Sequence, residues 1–346
     1  MISSARGRPD RETPIERATL IKIARDTAAQ RMAARPSLLS AYLIGSVGAG
    51  EPLLGEATDI DLVLIDSNPP PAPREVIRLT DQIALDLHHR HRDQYTNAKL
   101  LRGHPWLGPE LAEPLFLHDP THFFELAQSS ARGQFHRPEN VATRARAFAA
   151  LARAELHVGL LPGAEPEAPV TLVNYTQALL YAANAAITLT AFPGGGRRLV
   201  MKLETAARKL RRADVYDGFL GLLAGPQVAR PVAEALLAGW TAAYRAGQVT
   251  ANELVHPARR TIYERGFRAQ IEADRAAEML WLMLATWNAC RVNMPNDAQQ
   301  TGQWQAFLGH LQLADPAVYD ERVYELSNYV GLVNDLVETW AEGNGV

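Results

Sequence analysis

A single cysteine, Cys290, occurs in the 346 residues of the chain. No internal disulfide can form, and so sparse a thiol content fits a reducing cytoplasm. Charge of one sign is not in surplus either. The chain has 35 lysines and arginines against 38 aspartates and glutamates, a formal net charge of -3. This balance speaks against nucleic acid as a partner, because a strongly basic surface is what gathers phosphates. Long hydrophobic runs are missing. Met1 to Arg11 is polar and charged and has no apolar core of signal-peptide type. The longest apolar stretch is broken well short of membrane-spanning length, so no membrane partner is expected. There are no internal repeats, no low-complexity tracts and no Gly-Lys-Ser/Thr of a P-loop.

Hydrophobic residues make up 47% of the chain, enough for a sizeable core, and the length favours two domains. Residues 1–12 read as a flexible tail. Thr13-Pro14-Ile15-Glu16 reads as a helix start, with Thr13 as N-cap, Pro14 at the first helical position and Glu16 closing a capping box. Ile15, Ala18, Ile21, Ala24, Ala28 and Met32 would form its apolar face, and Pro36 ends it.

The chain is organised around residues 39–65. An apolar run reaches Gly45-Ser46, a glycine-rich turn comes next, and Asp59-Ile60-Asp61 opens a second apolar run to Ile65. Both runs have the length of buried strands. Alternate side chains of a strand share a face, so Asp59 and Asp61 point the same way. Two adjacent carboxylates repel unless neutralised, and an oxygen-rich pair suits Mg²⁺ or Mn²⁺. Gly45-Ser46 offers backbone N–H groups and a hydroxyl, which are the groups that hold a phosphate. Gly45-Ser46-Val47-Gly48-Ala49-Gly50 is not a dinucleotide fingerprint, because Pro52 and Gly55 leave no room for the crossover helix that motif opens.

Asn68 to Pro73 is proline-rich and reads as an exposed loop, and residues 74–81 as a short helix. Residues 82–91 read as a third strand, with Asp86, His88 and Arg90 on one face and Leu85, Leu87 and His89 on the other. That alternation splits His88, His89 and His91 and speaks against a zinc site. Leu115 to Leu117 is a candidate last strand, and Trp106 a candidate exposed aromatic. Beyond residue 121, Ala and Leu dominate and helical periodicity takes over. Helices are expected near 138–160, 171–191, 199–212, 226–246, 251–290 with a break, and 316–342. Leu161-Pro162-Gly163, Pro193 to Gly196 and Gly225-Pro226 punctuate them. Trp281 and Trp287 fall at helical spacing and read as core. The fold class is therefore α+β: a small mixed-sheet domain over 13–120 and an α-helical bundle over 121–346.

Gly45-Ser46, the spacer Val47 to Thr58, and Asp59-Ile60-Asp61 resemble the signature of the nucleotidyltransferase superfamily that includes DNA polymerase beta. The family carries a third carboxylate on a later strand, and Asp86 in Ile83-Ala84-Leu85-Asp86-Leu87 matches it. Residues 178–210 resemble the helical domain of streptomycin/spectinomycin adenylyltransferases, with Lys202 on the lysine that reaches the triphosphate in that family. Asn184 stands roughly where the family has an arginine. The resemblance implies that Asp59 and Asp61 ligate two Mg²⁺ ions, that Asp86 binds the catalytic ion or acts as general base, and that Gly45, Ser46 and Lys202 hold the nucleotide. Two such ions, about 3.5–4 Å apart, would stabilise attacking and leaving oxygens. The implied reaction moves AMP from ATP to a hydroxyl of a small molecule such as an aminoglycoside, with antibiotic resistance as the outcome. A protein acceptor, as in an adenylylating antitoxin of a toxin–antitoxin pair, nucleotide addition to RNA, and a non-catalytic nucleotide-binding module are the alternatives.

Overall fold

The computed structural model describes residues 15–70, 72–159, 165, 168–223, 225, 227–294 and 297–346. The expected tail, Thr13, Pro14, Leu161-Pro162-Gly163 and Pro226 lie outside them. The fold is α+β, with a five-stranded mixed sheet in the N-terminal part followed by a helical region. Among the described residues, no helix is long and apolar enough to cross a membrane.

The first helix, α1 (Arg17–Ala34), begins at Arg17 rather than at Pro14, with an extended Glu16 at the N-cap and no side-chain cap bond. Its buried stripe is Leu20, Ala24 and Ala28, so Leu20 rather than Ala18 or Ile21 leads the inward face. Those three recur at intervals of four and lie one above another. The helix stops before Pro36, whose ring excludes the helical conformation from the residue ahead of it.

The sheet has five strands: β1 (Leu38–Leu43), β2 (Thr58–Asp66), β3 (Arg74–Arg78), β4 (Ile83–His91) and β5 (Leu115–His118). Their order across it is β3-β4-β2-β1-β5. β2 and β4 run parallel, and the β1–β2, β1–β5 and β3–β4 pairs are antiparallel. Residues 74–78, expected to be helical, are instead the edge strand. The cause is non-local. β3 pairs with β4 from Arg74↔His88 to Arg78↔Ala84, and the turn between them closes on the Thr80 hydroxyl, which accepts from the amides of Gln82 and Ile83. A helix there would leave one edge of β4 without its ladder.

The two faces of the sheet are covered differently. Leu43, Ile60, Leu62, Leu64, Leu85 and Leu87 pack beneath α1. Tyr42, Val63 and Ile65 on the opposite face are covered by α3 (Ala98–Gly103), α4 (Leu107–Ala112) and α5 (Phe123–Arg132), after the short α2 (Gly45–Ala49). The ring of Phe124 on α5 stacks on Tyr42 at 4.3 Å. Only the start of β2 and the middle of β4 escape this cover, and the acids lie there.

The helical region comprises α6 (Pro138–Gly159), α7 (Pro169–Thr188), α8 (Leu199–Leu210), α9 (Ala213–Gly221), α10 (Arg230–Gly247), α11 (Arg260–Glu272), α12 (Leu280–Arg291), α13 (Ala298–His310) and α14 (Pro316–Gly343). The expected 251–290 helix breaks into α11 and α12 with short 3-10 turns around them, and beyond residue 121 α5, α9 and α13 are additional to the expected set. α7 is the central helix, packed on α6, α8, α12 and α14. Its alanines at 178, 182, 183, 185 and 186 are buried, so neighbours approach its backbone closely. Trp281 and Trp287 are core residues, and the Trp281 indole N–H donates to the Thr176 carbonyl at 2.9 Å. Trp106 is half-buried, edge-on to Phe148 at 4.9 Å, rather than exposed.

The helical region closes onto the start of β2. Ala57, just ahead of β2, and Ala84 of β4 pack with Ala258 and Ile262. The Arg197 guanidinium donates to the carbonyls of Leu54 and Ala57 at 2.8 and 3.2 Å.

Candidate active site

β1 leaves the sheet at Ile44, whose amide still donates to the Asp61 carbonyl at 3.0 Å. Gly45 then turns the chain with φ +67°, a left-handed value that a side chain tolerates poorly. Space demands glycine as well, because a Cβ at this position would lie 2.0 Å from Asp61 Oδ2. The turn therefore rests directly on the second acid. α2 runs only from Gly45 to Ala49 and closes on a left-handed Gly50. Arg17 of α1 caps its far end, donating to the carbonyls of Val47 and Gly48, each at 2.9 Å. Ser46 is half-buried, its hydroxyl 3.4 Å from that of Thr58.

Asp59 and Asp61 share one face of β2, and the parallel register sets Asp61 beside Asp86 of β4. His88, two residues on, points to the same side. Its Nε2 lies 3.5 Å from Asp61 Oδ1 and 3.8 Å from Asp86 Oδ1. Ligand atoms of Asp61, Asp86 and His88 all lie within 4.8 Å of one another. The three histidines separate as their alternation requires. His89 faces Glu75 on the other side of the sheet, and His91 Nε2 meets the Ser67 carbonyl at the strand end.

Arginines contact two of the three acids. Arg74 of β3 holds the fully buried Asp86 with two bonds, Nε to Oδ1 at 2.7 Å and Nη2 to Oδ2 at 2.6 Å. Arg259 enters from the helical region, just ahead of α11. It donates to Asp59 Oδ2 at 2.9 Å through Nη1 and to Asp86 Oδ2 through Nη2. Arg197 stands 3.9 Å from Asp59 Oδ1. Arg74 also meets Glu253, which compensates part of its charge.

These partners divide the acids electrostatically. Burial alone would raise the Asp86 carboxyl, but the Arg74 hydrogen bond and the Arg259 charge outweigh it and hold the group below its ordinary value. Burial likewise opposes Asp59, and the charges of Arg259 and Arg197 bring it down. Asp61 goes the other way: burial, then the neighbouring Asp59 charge, push it up, against a smaller pull from His88.

Lys202, on α8, does not join the acids. Its Nζ lies 3.3 Å from Glu51 Oε1 and 3.5 Å from the Pro193 carbonyl. Glu51 immediately follows the glycine-rich turn and also takes Arg198 Nε at 3.1 Å. Both cations border a cavity of about 610 Å³. Asn184 is a buried loop clamp: its side-chain amide donates to the Gly194 carbonyl at 2.9 Å, and its oxygen accepts from the Gly194 amide at 2.7 Å.

Of the residues expected at the site, the fold thus gathers Gly45, Asp59, Asp61 and Asp86, places Ser46 on the turn beside Thr58, and sends Lys202 to the cavity. Sequence reasoning missed Arg74, Arg197 and Arg259. Arg74 lies in Arg-Glu-Val-Ile-Arg, which does not alternate and so gives no strand signal of its own; nothing local distinguishes Arg259 among the other arginines of the helical half.

No protein-family model matches the chain, and no curated protein matches it in sequence. The functional reading therefore rests on this geometry and on the motif spacing.

Proposed function

We propose that the chain is a divalent-cation-dependent nucleotidyltransferase that moves AMP from ATP to a hydroxyl of a small molecule in the cytoplasm, releasing pyrophosphate. The observation that carries this reading is the pairing of Asp61 with Asp86 on adjacent parallel strands, directly against the Gly45 turn. The residues present fit a cation. His88 Nε2 is buried and faces Asp61 Oδ1 at 3.5 Å and Asp86 Oδ1 at 3.8 Å without a well-formed hydrogen bond, and no arginine is among the main influences on Asp61. Asp61, Asp86 and His88 would hold the ion, with Asp59 beside them. A bound ion would supply charge stabilisation for the transferring phosphate and its leaving group. An imidazole in the donor set favours Mn²⁺ over Mg²⁺. A second ion sharing Asp59 requires Arg259 to withdraw from it.

The acids take separate roles. Asp86, clamped by two guanidiniums, stays ionised and is a poor base, which suits a ligand. Asp61, which burial and the Asp59 charge push up, would depend on the cation itself for its counter-charge. The Gly45 turn keeps Asp61 in place. The cavity bears Arg144, Arg198 and Lys202 against Glu51 and Glu113, so its lining lacks the acidic surplus that a polycationic aminoglycoside would need.

A second reading is favoured by one observation. Arg74 and Arg259 already neutralise Asp86, and Arg259 neutralises Asp59. Such a network would also suit a non-catalytic nucleotide-binding module. Labelled ATP with Mg²⁺ or Mn²⁺ separates the two. Catalysis gives metal-dependent pyrophosphate release with label on a small acceptor, or on a protein if the acceptor is one. Thermal stabilisation by ATP, about 2.7 kcal/mol at a hundred times Kd, should require the metal and vanish in the Asp59→Asn/Asp61→Asn double variant. Metal-independent binding without turnover would leave the module; no binding at all, with the double variant unchanged, would sink both.

A further inference from the structure

Arg144 of α6 is 2% exposed. Its Nη1 donates to the Arg102 carbonyl at 2.7 Å and its Nη2 to the Phe135 carbonyl at 3.1 Å. The guanidinium carbon sits 3.7 Å from the centre of the Phe135 ring. These contacts satisfy donors and stack the cation, but none of them carries a negative charge. Among the described residues no carboxylate pairs with Arg144, and its Nε is buried without a partner. Burial pushes its pKa down to about 10. Buried charges are ordinarily paired, because desolvation of an unpaired one is costly.

Arg144 lines the cavity of about 610 Å³. Thr188, at the end of α7, lines it too, and its buried hydroxyl has no partner either. Arg198 and Lys202 on the same wall are already bound to Glu51. The other acid of the lining, Glu113, is exposed and is not paired with Arg144. Much of the remaining wall is apolar or aromatic, with Phe135 edge-on to Phe192 at 5.8 Å and Trp340 and Met201 nearby. The volume falls within the range of about 300–1,000 Å³ that small-molecule sites occupy. The cavity therefore combines an apolar wall, an uncompensated buried cation and an unused hydroxyl.

We propose that this cavity binds a small organic anion, an apolar ring-sized body whose carboxylate or phosphate oxygens are held by Arg144 and Thr188. The site is separate from the acids of β2 and β4, none of which lines it, and it does not depend on the transferase reading.

Calorimetric titration of the full chain with benzoate, phenyl phosphate and the neutral benzamide, at constant ionic strength, tests it. At least one anion should bind about tenfold or more tightly than benzamide, and which of the two does so tells carboxylate from phosphate. Arg144→Met should cost about thirtyfold or more in anion affinity, the effect of truncating one member of a buried charge pair, and Arg144→Lys should recover part of it. Arg144 also ties carbonyls together, so Thr205→Trp is the second variant. Thr205 is exposed and borders the cavity, and a ring there should block entry while leaving thermal stability intact. Equal affinity for benzoate, phenyl phosphate and benzamide, binding of neither anion, or unchanged binding in Thr205→Trp would overturn the proposal. Competitive displacement of the anion by ATP with Mg²⁺ would overturn it as well, because the cavity would then be the nucleotide's own.

Discussion

Asp61 and Asp86 face each other across one strand pair, yet their surroundings drive them in opposite directions. The pH dependence of stability should reveal this. Asp86 is held below its ordinary value by Arg74 and Arg259, so its contribution is present above the unfolded pKa, about 3.9, and is lost as pH falls through the lower folded value. Asp61 is raised by burial and by Asp59. Its contribution is full below the unfolded pKa and is lost as pH rises through the folded one. At neutral pH, therefore, Asp61→Asn should leave the protein equally or more stable, because it removes a buried repulsion. Asp86→Asn should destabilise by about 3–5 kcal/mol, because it leaves two guanidiniums without their shared counter-charge. Urea unfolding of both variants at pH 7 decides the matter, and a change of the same sign and size in both would refute the division. Arg259→Met provides the complementary measurement. It exposes Asp59 and Asp86 to each other's charge, so it should destabilise the apo protein while strengthening Mn²⁺ binding in a fluorescence titration.

At the scale of elements, the five-residue α2 and the two strands beside it decide where the acids point. Gly45→Ala tests that arrangement. The left-handed conformation costs a side chain about 1–2 kcal/mol, and the new Cβ falls on Asp61 Oδ2. The variant should lose that much stability in urea and also lose Mn²⁺-dependent stabilisation; loss of stability with metal response intact would mean that the turn does not position Asp61. The position of this element was legible in the chain, because Gly-Ser, a spacer and alternating acids are local patterns, although the short helix α2 reads there only as a glycine-rich turn. β2 and β4 were legible for the same reason, and so was the placement of Asp86 and His88 on one face. β3 was not. Arg74 to Arg78 has no signal strong enough to choose strand over helix until β4 offers a ladder. Arg259 was less legible still. It lies 200 residues from Asp59, in a 3-10 turn of a region whose periodicity reports only which helix faces are apolar. Lys202 is expected through its motif to reach a triphosphate, but its place beside the cavity and its ion pair with Glu51 depend on a crossing between halves that no local pattern encodes.

At the scale of the whole molecule, the sheet and the helical region meet through charge as much as through apolar contact. Arg197 and Arg259 both reach from the helical side into the mouth of β2, and the apolar patch beneath them is small, made chiefly of Ala57, Ala84, Ala258 and Ile262. A joint of this kind makes the acids responsive to how closely the two parts approach. Gly55 is a point where the two backbones approach closely. It has φ +65°, and a Cβ there would lie 2.2 Å from the Arg265 carbonyl oxygen. Unlike the end of a flexible side chain, α11 backbone cannot step aside alone. Gly55→Ala should therefore push α11 and the preceding turn away from β2, carrying Arg259 with them. The expected cost is about 1–3 kcal/mol for overpacking, plus the left-handed backbone penalty. The same displacement should free Asp59 and Asp86, so Mn²⁺ should bind the variant more tightly even as the apo protein melts earlier. Gly221→Ala is the control, because a Cβ there meets nothing within 4 Å, and its stability should stay within about 0.5 kcal/mol of the parent. A lower melting temperature with unchanged or weaker Mn²⁺ affinity in Gly55→Ala would show that Arg259 follows the sheet and not the helical region, and would break the link between inter-region contact and the charge state of the acids.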